Sequence, residues 1–529
     1  MISSRLLGRV LLGLSLLAGA VTHGFNLFKY PLYITDEGIY IQQAWSVLRE
    51  ARLSPYTYFY DHAPAGWLAI AGWVAFLPGQ FQTFGNAIDT GRALMLIVHV
   101  ISTFLLYRVT SRLSGSTVAA VLAAFLFNVS PLAVFYQRQV LLDNLMVMWV
   151  LLSLFLLTGG EDWKRSDLRI VTAMLAGLSF GVAVLTKENA VFFAPMIGYL
   201  LYRRFKGRIN YRFSVGFWSF SAFSVVSLYF LYATLKNELL PSGLSFDLNT
   251  PPADHVSLLY TIWWQMHRSQ GTILDPSSPV WQFSLGAWLP KDTFMLAAGA
   301  LAAAINLGIG LVTRGRRLEA LVASGLALGY GLYLARGSQM LEFYVLPLIP
   351  FLAMNIGLLI GTLVSRPPKV VGALPALAFI GLFTLNPAWG YVLVIDQFGK
   401  VVPHDLYKLD QTGMQEQQLQ WMRQNIPPDA KLIIDDNVWA DLHDTRPYYK
   451  WAHSHFKAAS DPDVRDKLFG KDWRNIDYII MSNKMREAML LNNADGGETW
   501  ILQALDHSKK VWSVGGGDVN LEVDQVVKS

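Results

Sequence analysis

"YRRFKGRINYR", residues 202–212, sets five cations between two apolar runs, 190–202 and 213–234. Clustered Lys and Arg in a short connection mark the cytoplasmic side of a membrane-spanning chain. The signature recurs in "YRVTSRLSG" (107–115), "EDWKRSDLR" (161–169), "TRGRR" (313–317) and "SRPPK" (365–369), and Arg5 and Arg9 precede the first run. All fall on one side if the runs between them alternate in direction.

Working outward from these connections, the pattern predicts eleven spans, at 6–23, 93–112, 117–135, 143–158, 170–186, 190–202, 213–234, 293–312, 318–335, 343–364 and 370–395. The composition agrees: 53% hydrophobic and 15% charged residues are wrong for a soluble protein of 529 residues. The spans at 170–186 and 190–202 are short for a bilayer, which takes about 20 residues per helix. Beyond residue 395 the apolar runs stop. Residues 1–395 hold 27 Lys/Arg against 17 Asp/Glu, and residues 396–529 hold 16 against 21, so two environments are implied.

The expected fold is therefore an α-helical polytopic membrane domain over 1–395, with about eleven transmembrane helices, followed by a small soluble α/β domain over 396–529. An odd number of crossings places that domain outside the cytoplasm, with the long segments 24–92 and 236–292. In it, "QEQQLQWMRQNIPPDAKLIIDD" reads as helix, proline turn, strand, and "NIDYIIMSNKMREAML" as strand then helix. The first run also reads as a signal peptide, because "LAGA" at 17–20 resembles a cleavage site. "HAPAGWLAIAGWVAFLPG" (62–79) is too short to span and fits a helix lying at the outer interface, anchored by Trp67, Trp73 and Phe76. The absence of cysteine excludes disulfides, thiolate metal sites and a Cys nucleophile.

Ionisable residues collect at the predicted outer mouths. "ITDEGIYIQQAW" (34–45) carries Asp36 and Glu37, "YDHAPAGW" (60–67) Asp61 and His62, "YQRQVLLDN" (136–144) Arg138 and Asp143, and "LTKEN" (185–189) Lys187 and Glu188. Each has a local reading: Thr35 capping a helix with two acids in its first turn, Arg138 with Asp143 as an interface pair, Lys187 with Glu188 as a helix-end pair, Arg336 with Glu342 as a stop for two spans. Gathered at one membrane face, they read together as a site.

The acidic pair in the first outer loop, the "YDHxPxGW" turn, the "R-x-x-LLD" segment and the late "FYVLPLIPFLA" span, taken in order, resemble the GT-C glycosyltransferases of the dolichyl-phosphate-mannose protein mannosyltransferase and lipid A aminoarabinose transferase type over most of residues 30–365. The resemblance implies a GT-C fold in the plasma (bacterial inner) membrane. It implies inverting transfer of a sugar from a polyprenyl-phosphate donor to a protein, lipid or glycan acceptor at the outer face. Its catalytic acids map to Asp36, Glu37 and Asp143. The proline turn of that family usually carries two prolines, and Ala63 departs from it.

The chemistry needs a base to take the proton of the acceptor hydroxyl. Asp36 is the candidate. Neighbouring helical residues point about 100° apart, so Glu37 is expected to hold the acceptor, a nearby cation or the loop. The leaving phosphate needs fixed cations, and His62, Arg138, Lys187 and Arg336 are the outer-face candidates. Asp61, and His267 and Arg268 in the long loop that also holds His255, are candidates for acceptor binding or gating. A divalent ion on Asp36, Glu37 and Asp143, magnesium or manganese by its oxygen ligands, would serve the phosphate equally; the resemblance argues that none is required. "GGGD" (515–518) lacks the strand and helix context of a nucleotide loop, so sugar nucleotides are not the expected donor, and no nucleic-acid partner is expected. The rival from another class is a transporter or flippase, which usually shows two corresponding halves. No second copy of the acidic-pair loop occurs.

Overall fold

The computed structural model describes all residues except 1–3, 160–165, 208–209, 245, 247–255, 268–270, 314–316, 337–339, 365–393, 396–400, 403–404, 493–497, 517–518 and 529. The bundle is built from α1 (Ser4–Gly24), α4 (Ala87–Ser114), α5 (Thr117–Val129), α6 (Pro131–Gln137), α7 (Leu142–Gly159), α8 (Ser166–Thr186), α9 (Ala194–Phe205) and α10 (Tyr211–Leu235). It is completed by α12 (Thr293–Val312), α13 (Arg317–Ala335) and α14 (Ile349–Val364). Three shorter helices, α2 (Thr35–Glu50), α3 (Ala65–Ala75) and α11 (Leu258–His267), sit in the long connections.

Among the described residues eight helices are long and apolar enough to cross a membrane, nine if the bent α5–α6 pair counts as one span. The bend of 60° has a local cause. Pro131 has no N–H, and the residue before a proline is pushed toward extended backbone. Ser130 adopts that conformation and its hydroxyl accepts the N–H of Ala133, starting α6 afresh. The short expected span at 190–202 begins as a 3-10 segment, Glu188–Phe193, before α9. The eleventh expected span, 370–395, lies outside the described residues except for its last two.

Small residues bring helices together where the apolar effect between them is weak. A side chain at Gly177 of α8 would overlap the Trp218 carbonyl and the Ser221 hydroxyl of α10. The first apolar run packs as a bundle helix: Asn128 of α5 donates to the Ser15 carbonyl at 2.7 Å, and the Thr22 hydroxyl donates to the Asn128 carbonyl at 2.8 Å. Of the anchors expected for the interfacial helix in 62–79, Trp67 needs correction. α3 has the expected length, but Trp67 is fully buried and only Phe76, 91% exposed, stands out as an anchor would. Its tight packing comes from Gly66, over which Leu142 of α7 lies.

The C-terminal unit has a two-stranded ladder, β1 (Val394–Ile395) with β2 (Val401–Val402), and then a five-stranded sheet. Its strands are β3 (Leu432–Ile434), β4 (Ala452–Ser454), β5 (Tyr478–Ser482), β6 (Ser508–Gly516) and β7 (Val519–Val526), in the order β4-β3-β5-β7-β6. β3 runs parallel to β4 and β5, and β7 is antiparallel to β5 and β6. β3 is buried along its length, as a central strand covered on both faces should be. Helices α15 (Thr412–Asn425), α16 (Trp439–Asp444), α17 (His455–Ser460), α18 (Asn483–Asn492) and α19 (Thr499–Asp506) flank it. The expected helix-turn-strand and strand-helix pairs are α15 with β3 and β5 with α18. The segments that follow β3 and β4 lie against α2 and the loop that follows it.

Candidate active site

α2 presents its two acids to different partners. Glu37 turns into the bundle, where the Arg92 guanidinium grips it with Nε to Oε1 and Nη2 to Oε2, both at 2.8 Å. The Val140 and Ile34 amides donate to the same carboxylate, and neither member of the ion pair is accessible to solvent. Arg92 also donates to the Leu27 and Pro31 carbonyls. Of the roles expected for Glu37, the geometry matches holding a cation and the loop. Its four bonds leave the carboxylate no face toward a substrate. Thr35 does not cap α2; its hydroxyl donates to Asp435.

Asp36 points the other way and is half-buried, with the Tyr40 hydroxyl donating to it at 3.5 Å. Burial raises its carboxyl above the ordinary value, Lys187 and His62 pull it down, and Asp143 pushes it up again. Asp143, in the first turn of α7, meets Lys187, just past the end of α8, with Nζ 2.6 Å from Oδ2 and both side chains enclosed. The Lys187 ammonium also lies 4.3 Å from the Tyr344 ring centre. A charge so enclosed needs partners of this kind.

His62 is fixed by its backbone. Tyr58 and Tyr229 hydroxyls donate to its carbonyl at 2.8 and 3.0 Å, and Nδ1 lies 3.5 Å from Glu188. The departure at Ala63 has a use here, because its N–H donates to Glu188 Oε1 at 2.6 Å. A proline could not.

Asp61, His62, Lys187, Glu188 and Arg336 line one cavity of 430 Å³, together with Tyr60, Tyr229, Tyr333 and Tyr344. Much of the rest of its lining is apolar, from Val184, Val191, Phe192, Phe230, Ile262 and Met266. Arg336 is exposed there and donates to the Gln265 carbonyl at 2.8 Å.

Other expectations are not met by this geometry. Arg138 is fully buried and does not line the cavity: it donates to the carbonyls of Thr22, His23, Phe25, Tyr30 and Leu406, which occupies the guanidinium. It staples the end of α1 to the C-terminal unit. His267 is exposed and is not among the lining residues, although Met266 beside it is; it stacks on Trp263 with its Nδ1 2.7 Å from that residue's carbonyl. Arg268 and His255 lie outside the described residues. Among the described residues no group of three His, Asp or Glu is placed to hold a metal ion. Glu37 is turned into the bundle with its carboxylate fully bonded, so Asp36, Glu37 and Asp143 do not converge as a trio on one divalent ion.

Sequence reasoning missed Arg92, though its place at the head of an apolar helix was a signal that a carboxylate must meet it. It also missed Tyr40, Tyr58, Tyr229 and Tyr344, for which no local pattern exists.

A sequence profile of the dolichyl-phosphate-mannose-protein mannosyltransferase family matches residues 70–237. No curated protein sequence matches the chain. Among solved structures, ArnT from Cupriavidus metallidurans bound to undecaprenyl phosphate is similar with a TM-score of 0.57, at 14% identity, over 98% of each chain. This is a GT-C fold. The same GT-C architecture appears in the apo oligosaccharyltransferase of Archaeoglobus fulgidus, with a TM-score of 0.58, 12% identity, and coverage of 95% of this chain and 73% of that one. AglB from Archaeoglobus fulgidus, in complex with an inhibitory peptide and a dolichol-phosphate, gives 0.58 at 11% identity over 99% and 74%. The resemblance drawn from the motifs and the GT-C likeness of the whole fold thus agree.

Proposed function

We propose that this protein is an inverting glycosyltransferase that moves a sugar from a polyprenyl-phosphate donor to an acceptor hydroxyl at the extracytoplasmic face. The observation that carries the reading is the cavity: its lining is largely apolar, as a prenyl chain needs, and bears Lys187, His62 and Arg336. The half-buried Asp36 is not itself in that lining and stands beside it, within the field of Lys187 and His62. The lipid phosphate sits against the cations. Asp36 takes the proton as the acceptor oxygen bonds to the anomeric carbon, and the carbon–oxygen bond to phosphate breaks with its electron pair leaving on the phosphate. Lys187, held by Asp143, stabilises that charge without moving, which is where preorganised cations gain over water.

Undecaprenyl phosphate in the ArnT structure and dolichol-phosphate in the AglB structure support the donor class by analogy of fold. The Lys/Arg clusters in alternate short connections support the face. The test is transfer by purified protein in lipid nanodiscs from polyprenyl-phosphate sugars, set beside sugar nucleotides. Turnover with a nucleotide sugar and no lipid carrier overturns the reading.

A further inference from the structure

α2 has three working faces. Glu37 and Ile41 face the bundle, where Ile41 crowds Gly91 of α4. Asp36 and Tyr40 turn toward Lys187 and His62: the Tyr40 ring lies 6.4 Å from that of His62 and its hydroxyl donates to Asp36, which feels both charges. The third face is Thr35, Gly38, Gln42, Trp45 and Arg49, at steps of 3, 4, 3 and 4, which is one continuous stripe of an α-helix. Every member of that stripe meets the C-terminal unit between residues 435 and 444. Thr35 donates to Asp435 Oδ1 at 3.2 Å, Gln42 to Asp436 Oδ1, and Trp45 and Arg49 to Asp444 Oδ1 at 2.9 and 2.8 Å. At Gly38 the Asp436 carbonyl lies directly on the helix, and any side chain there would overlap it. The segment is itself anchored to the sheet, because Ser482 at the end of β5 donates to Asp435 Oδ2 at 2.9 Å.

We propose that the 435–444 segment of the C-terminal unit is a positioning element for the reaction: through the Thr35–Arg49 stripe it sets the rotation of α2 and so the place of the Asp36 carboxylate. The inference rests on the reading of Asp36 as the base. Residues at the tip of a helical side chain stand about 5–6 Å from the axis, so a turn of about 10° moves them by about 1 Å. A misplacement of that size costs about 10²-fold in rate. In an open α/β sheet the carboxyl ends of the parallel strands are where ligands bind; here that edge is occupied by the helix that carries the base. The C-terminal unit thus takes part in catalysis without touching substrate.

The test uses the full chain in nanodiscs. Gly38→Ala wedges the interface, Thr35→Val and Gln42→Ala loosen it, Thr35→Ser restores a hydroxyl, and Gly72→Ala on α3, where a side chain meets open space, is the control. Three quantities are read: kcat against donor KM, the affinity for undecaprenyl phosphate, and the infrared titration of the carboxyl band that disappears in Asp36→Asn. The expected result is a fall in kcat of tenfold or more for Gly38→Ala and Thr35→Val, with undecaprenyl phosphate binding unchanged. Water admitted to Asp36 then moves its titration to lower pH, and Thr35→Ser returns both to the parent values. Folded Gly38→Ala with unchanged kcat and titration overturns the proposal, as does joint loss of kcat and lipid binding. Should Gly38→Ala not fold, the Thr35 and Gln42 variants decide by the same criteria. A parent protein that transfers no sugar defeats the functional reading, and the infrared titration still decides the positioning.

Discussion

Lys187 and Asp143 form a 2.6 Å ion pair whose two side chains are almost wholly enclosed. The pair joins the end of α8 to the start of α7, and its other carboxylate oxygen, Asp143 Oδ1, meets no hydrogen-bond partner among the described residues. Removing one partner of such a pair leaves an uncompensated charge and typically costs 3–5 kcal/mol, whereas replacing both by apolar groups of similar volume is often neutral. Asp143→Leu and Lys187→Met singly are therefore expected to lower the thermal unfolding temperature, and the double variant to recover it. Turnover should stay low in the double variant, because the phosphate has lost a cation. Recovery of turnover along with stability would assign the pair a purely structural role.

The two acids of α2 should separate cleanly. Asp36→Asn keeps shape and loses proton affinity, so turnover falls by about 10²–10⁴-fold with folding intact. Burial raises the Asp36 carboxyl, so the acid limb of the turnover profile lies above the ordinary carboxylate value. Glu37→Gln breaks the buried pair with Arg92 and fails at folding first. A folded, fully stable Glu37→Gln with reduced turnover would reverse these assignments.

Arg336 and Arg138 should also part. Arg336→Ala removes a cation from the cavity wall, and a charge-assisted hydrogen bond to phosphate is worth ~1.5–3 kcal/mol, or about 10–150-fold in affinity. Undecaprenyl phosphate binding should weaken by that order. Arg138→Ala should leave the affinity of the folded fraction unchanged and lower thermal stability, since its five partners are carbonyls of the chain.

Two buried carboxyls of the C-terminal unit should make stability depend on pH: Asp436, which accepts from Gln42 of α2, and Asp441, which accepts from Gln82 and the Ala87 N–H. Burial pushes both Asp436 and Asp441 up to about 6. A carboxyl that binds its proton more tightly when folded favours folding at low pH, and that contribution is lost as pH rises through the folded value. Stability from these two groups should therefore fall between about pH 4 and about pH 6. Asp436→Asn keeps an acceptor for Gln42 and should raise the unfolding temperature at pH 8 while changing little at pH 4. Equal effects at both pH values would rule out the burial cost as the cause.

The span pattern and the α/β character of the tail were legible because each is periodic and local: apolar runs, cation-rich connections, strand–turn–helix signals. That Asp36, Asp143, His62 and Lys187 would come near one another was legible because they sit in short motifs at helix mouths. Which of the two arginines faces the cavity was not. Arg138 and Arg336 look alike in the chain, and only the crossing of α1, the 22–30 loop and Leu406 shows that the first is spent on carbonyls. The stripe on α2 was hidden for the same reason. Its mixed Thr, Gly, Gln, Trp and Arg form no hydrophobic pattern, and its partners lie some 400 residues away.

Arg138 also sets an order of events during synthesis. Four of its carbonyl partners lie within residues 22–30, and the fifth, Leu406, comes 268 residues after it. At roughly 5–20 residues per second the ribosome delivers that partner about 15–50 s later. All the bundle helices, through Val364 at the end of α14, are thus made before the guanidinium has its full set of acceptors. A chain halted before residue 406 would carry its helices without the carbonyl that completes the Arg138 cluster.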